Sequence, residues 1–67
     1  MSVLVNIFQS IDYINRNITA EITIEQCSKI ADMSIPYYIE KFKQILGCSP
    51  YQYIKKRRLE LSTHIYF

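Results

Sequence analysis

The chain has 67 residues, nearly half of them apolar, with one glycine, two prolines and two cysteines. That length allows one small domain, the apolar content excludes a disordered chain, and two cysteines exclude a disulfide framework or a cysteine-rich zinc site. The net charge of +2 conceals opposite halves: residues 1–40 carry two cations against five acids, net −3, and residues 41–67 six cations against one acid, net +5. A basic half on a near-neutral chain suggests a polyanionic partner; a solvated face on a long helix accounts for the same charges.

Few breakers and no alternating β-branched runs predict an all-α fold. The first helix is predicted over about 2–15, where Leu4, Ile7, Ile11, Ile14 and Ile18 recur at spacings of three and four. They form one apolar stripe, with Gln9, Asp12, Asn15 and Arg16 largely opposite. Asn17 can end that helix in the left-handed conformation. Ile22 precedes Thr23-Ile24-Glu25-Gln26, a capping box with a hydrophobic staple before it. This predicts a second helix over 24–31, with Ile24, Cys27 and Ala31 inward and the small Ser28 permitting close approach.

Asp32 tolerates a left-handed turn, and Ser34-Ile35-Pro36 supplies a capping hydroxyl with proline in the first helical turn. The third helix is predicted over 35–46, stopped by Gly47. Tyr38, Phe42 and Ile45 share one face. Ile35, Pro36, Ile39, Glu40 and Lys43 spread over the other, where a branched Ile39 has no core to enter. Ser49-Pro50-Tyr51-Gln52, another capping box, opens a fourth helix over 50–66. Only Ala31-Asp32-Met33 separates the second helix from the start of the third. That is the spacing of a helix-turn-helix, which holds its second helix in the major groove of DNA.

No catalytic constellation is visible, so the chain is not read as an enzyme. His64 is the only histidine, no glycine-rich phosphate loop exists, and four short helices offer little cleft for a nucleophile such as Cys27. No cofactor or metal is implied, and Cys27 and Cys48 are read as small apolar residues. The tyrosines read as core and rim rather than as a stacking platform for single strands. Lys55-Lys56-Arg57-Arg58 cannot form a single face, because successive helical residues point about 100° apart; some can meet phosphate while Arg58 turns inward to an acidic partner. The start of the chain lacks a signal leader and no run reaches membrane-spanning length, so a cytoplasmic location is expected.

The segment Ile11–Ser62 resembles the DNA-binding domain of the AraC/XylS family of bacterial transcription regulators. The residues that carry the resemblance are Tyr13-Ile14, Asn17-Ile18, Ile22-Thr23-Ile24-Glu25, Ser34, Tyr37-Tyr38, Phe42-Lys43, Gly47-Cys48-Ser49-Pro50, Tyr53-Ile54 and Arg58-Leu59. The resemblance implies a homeodomain-like helix-turn-helix unit ending in a long linker helix, the first half of a domain whose second unit is missing here. It implies that double-stranded DNA is met by Ser34, Pro36, Tyr37, Ile39, Glu40 and Lys43, with Lys55 or Lys56 adding charge. Asp32 stands where the family usually has glycine, and Ile39 and Glu40 stand where it often has hydrogen-bond donors. The alternative is a half-domain that acts through protein contacts, on itself or a related regulator, using Leu61, Ile65, Tyr66 and Phe67.

Overall fold

A computed structural model describes residues 2–65, and the side chains of residues 2–61. Four helices follow one another, α1 (Val3–Arg16), α2 (Ile24–Ile30), α3 (Ile35–Leu46) and α4 (Pro50–Ile65), and no strand occurs among the described residues. The fold is therefore the all-α, four-helix arrangement expected from the sequence. α3 matches its predicted bounds, α1 is displaced by one residue, and α2 gives up Ala31 as its C-cap. The predicted end of the fourth helix at Tyr66 lies outside the described residues.

Local chemistry accounts for most of the helix boundaries. Thr23 Oγ1 accepts the Gln26 N–H at 3.2 Å. At α4 the capping box closes both ways: Gln52 N donates to Ser49 Oγ and Ser49 N donates to Gln52 Oε1, each at 3.2 Å. Gly47 ends α3 with φ 81°, a conformation that costs a side chain but not glycine. Two caps differ from expectation. Asn17 has φ −116° and is not left-handed; it ends α1 through its backbone N–H and its Nδ2, both donating to Tyr13 O. Ser34 occupies the N-cap of α3 with extended backbone, yet its hydroxyl makes no capping bond. Pro36 removes one of the two N–H groups that such a hydroxyl could accept.

The core gathers Ile7, Ile14, Ile24, Cys27, Ala31, Tyr38, Phe42 and Ile54. Tyr38 and Phe42 are wholly buried, one turn apart on α3. The Phe42 ring packs tilted against Tyr38 at 5.7 Å and edge-on to Tyr53 of α4 at 5.6 Å, geometries that aromatic quadrupoles favour. Polar contacts tie both ends of this row to α1. Tyr38 Oη donates to Ser10 Oγ at 2.9 Å, which donates to Ile7 O at 2.6 Å. At the far end Asn15 Nδ2 donates to Tyr53 Oη at 3.4 Å. Burial raises the pKa of both the Tyr38 hydroxyl and the adjacent Cys27 thiol, so both stay neutral and Cys27 behaves as packing material.

Two details of α1 correct the predicted stripe. Leu4 is 47% exposed and stands outside the core, whereas Asn6 and Ser10 are buried. Ile7 and Ile14 of the predicted stripe are wholly buried and Ile11 and Ile18 pack against the core, while Asn6 and Ser10 widen it to one side, where the Ser10 hydroxyl accepts from Tyr38. Asn6 Oδ1 is buried without a partner among the described residues.

Phe42→Ala is expected to cost about 3–5 kcal/mol, comparable to the whole stability of so small a core. Far-UV circular dichroism at room temperature should show largely unfolded protein; a folded variant would mean that the aromatic row does not organise the core.

Candidate nucleic-acid interface

α2 and α3 are joined by Ala31-Asp32-Met33-Ser34, and Asp32 carries φ 58°. That left-handed residue lets the chain reverse tightly: Met33 N–H bonds Ser28 O at 2.9 Å and Asp32 N–H bonds Lys29 O at 3.0 Å. Ser28 is buried, and its Oγ turns back to Glu25 O at 2.8 Å, so α3 meets α2 over a small residue. The turn places the buried side of α3 under α1 and leaves its other side in solvent.

On that solvent side stand Pro36, Tyr37, Glu40, Lys43 and Gln44. Gln44 was not anticipated as a site residue, although it lies one helical turn from Glu40 and its exposure follows from the same 3.6-residue period. Lys41 leans over the Tyr37 ring, its Nζ 5.4 Å from the ring centre, and donates to Gln44 Oε1 at 3.3 Å. This keeps a positive charge beside the otherwise acidic Glu40. Ile39 differs from expectation: it is half-buried and packs against the core. A branched side chain at the edge of the buried arc finds enough apolar surface to cover part of itself, so it borders the exposed face and does not lie at its centre. Ile35 is exposed and borders a groove described below.

The four-residue basic run divides as helical geometry requires. Arg57 Nε donates to Asn15 Oδ1 at 3.2 Å and its Nη1 pairs with Glu60 at 3.0 Å. Arg58 stays exposed and folds over the connection after α1, meeting carbonyls and not the acidic partner expected. Its Nε donates to Ile18 O at 3.1 Å and its Nη2 to Ala20 O at 2.7 Å, because the segment after α1 presents carbonyls that no following helical turn satisfies. Lys55 and Lys56 are exposed, with no hydrogen-bond or ion-pair partner among the described residues.

The helices also leave more relief than expected: a groove of about 750 Å³ lies between the start of α2, Ile35 and one side of α4. Ile24 and Ile54 form its floor, with Thr23, Glu25, Lys55 and Arg58 among its borders. Beyond it, Leu61 is exposed, while the side chains of Ile65, Tyr66 and Phe67 lie outside the described residues. Among the described residues, no cluster of three or more His, Cys, Asp or Glu could hold a metal ion. Nor is any described helix long and apolar enough to cross a membrane.

No family model matches the chain, and no solved structure matches it. A lactose operon transcription activator from Staphylococcus xylosus is 33% identical over 54 residues, which is 81% of this chain and 19% of that protein. The chain thus spans about one fifth of the length of this relative.

The turn residue offers a direct check. Asp32→Gly is expected to leave stability within about 0.5 kcal/mol, since relief of the left-handed backbone offsets the added freedom of the unfolded chain. Asp32→Val should cost about 1–2 kcal/mol or more. Urea midpoints that are equal for the two variants would contradict the left-handed turn.

Proposed function

We propose that this chain is a non-catalytic DNA-binding module of an AraC-type transcription regulator, with α3 lying in the major groove. The observation that carries the reading is the exposed face of α3, presented after a left-handed turn and gripped from behind by the Tyr38–Phe42 row. The likeness to a transcription activator supports it, as does the net +5 of residues 41–67.

Pro36, Glu40, Lys43 and Gln44 face base edges in this reading, with Ile39 at the border of the contact. Glu40 accepts from a cytosine amine, and Gln44 suits the bidentate edge of adenine. Ser34 and Tyr37 meet the backbone: the Ser34 hydroxyl makes no cap and is left to donate to a phosphate oxygen. Lys43, Lys55 and Lys56 contribute charge. A single unit of this kind binds weakly, with non-specific dissociation constants of about 10⁻⁴–10⁻⁶ M at physiological salt. Exposed Leu59 and Leu61 on α4 favour a second reading, in which the same unit works through protein contacts.

Fluorescence anisotropy with random duplex DNA, titrated with salt, tests the DNA reading. The logarithm of affinity should fall linearly with that of salt concentration, and Lys43→Ala should reduce the slope by about one unit. Glu40→Gln should strengthen binding to random duplex, because it removes a like charge from the phosphate surface. Absence of binding even at low salt would overturn the reading.

A further inference from the structure

One row of side-chain contacts on α3 joins no two helices and so does nothing to assemble the fold. Lys41 Nζ lies 5.4 Å from the centre of the Tyr37 ring and donates to Gln44 Oε1 at 3.3 Å. Tyr37 and Lys41 are four residues apart, Lys41 and Gln44 three, the two spacings at which helical side chains meet. Lys41 is half-buried, whereas Tyr37 and Gln44 are exposed. The covered stem and the ring beside it narrow the places its ammonium can occupy.

The chemistry of the pair decides which way the Gln44 amide is turned. An ammonium has three donors and no acceptor, so the amide atom that faces it is the oxygen. Gln44 Nε2, with two hydrogens, has no partner among the described residues and is the group left to meet a base. On its own a glutamine matches adenine, its oxygen accepting from N6 and its nitrogen donating to N7. For that pairing the oxygen must leave Lys41. Guanine presents two acceptors, O6 and N7, and no donor on the same edge, so it takes the Gln44 nitrogen while the Lys41 contact stays in place. The nearby cation favours the same choice, because it attracts O6 and N7 and repels the adenine amine.

We infer that Lys41 is a positioning residue that fixes Gln44 as a hydrogen-bond donor, and that this donor makes α3 choose guanine over adenine at the base Gln44 meets. The inference rests on the DNA reading proposed above and adds to it the chemistry of one contacted base. Glu40, one turn before Gln44, accepts from a cytosine amine in that reading, so acceptor and donor together direct α3 to G·C pairs.

Selection of randomised duplexes by the full chain at low salt, read by sequencing, tests it. The position whose base preference vanishes in Gln44→Ala is the one Gln44 reads. Guanine should exceed adenine there by about fivefold or more, the scale of one base-edge pairing. Lys41→Met, which keeps the stem and removes the donor, should shift that ratio toward adenine by a similar factor. Lys41→Arg, which restores a donor, should keep guanine ahead. A role in charge or folding alone would change how much of the pool is retained and leave the preference at that position unmoved. Far-UV circular dichroism should show each variant as helical as the wild type. Four results each overturn the inference while the retained pool keeps the DNA reading standing: no position altered by Gln44→Ala, a base other than guanine preferred in the wild type, a guanine preference untouched by Lys41→Met, or one lost in Lys41→Arg. A pool that is not retained at all overturns both.

Discussion

The molecule depends on the burial of one side of α3. Tyr38 and Phe42 lie wholly inside, and the aromatic contacts continue through Tyr53 into α4. The hydroxyls at the two ends of this row reach Ser10 and Asn15, both on α1. Three helices are therefore fixed by contacts that begin and end on the same helix. Tyr38 and Phe42 are the largest wholly buried side chains of the core, and the terminal hydrogen bonds tie both ends of the row to α1. Fixing one side so firmly is also what makes the other side a defined surface, since a helix that could roll would present no constant set of residues.

Much of this is legible in the sequence because it is written in local signals. The capping boxes at Thr23 and Ser49, the glycine at 47 and the tolerance of Asp32 for left-handed backbone are each decided by a few neighbouring atoms. The 3.6-residue period of α3 likewise separates Tyr38 and Phe42 from Glu40 and Lys43 without knowledge of what packs where. Of the DNA-contact residues named from the resemblance, Pro36, Tyr37, Glu40 and Lys43 are exposed on α3, Ile39 is half-buried at its border, and Lys55 and Lys56 stand on α4; these positions assign no role to them.

What sequence could not give is decided between helices. Leu4 belongs to the same three–four repeat as Ile7, Ile11, Ile14 and Ile18, yet it alone stands outside the core, while Ser10 is drawn in and meets the Tyr38 hydroxyl. Ile39 looks outward on a helical wheel and is half-covered, since the width of the buried arc depends on how near the neighbouring helices stand. Arg58 needed a partner, and charge logic pointed to an acid; the partners turned out to be carbonyls, which no charge count reveals. The groove beside α4 was invisible for the same reason, because concavity belongs to the arrangement and not to any one segment.

The Arg58 clamp carries a consequence for ionic strength. Its acceptors are neutral peptide carbonyls, so counterions screen it less than they screen the exposed ion pairs Asp12–Arg16 and Arg57–Glu60. Added salt therefore weakens the surface pairs of α1 and α4 while leaving α4 fastened to the Ile18–Ala20 connection.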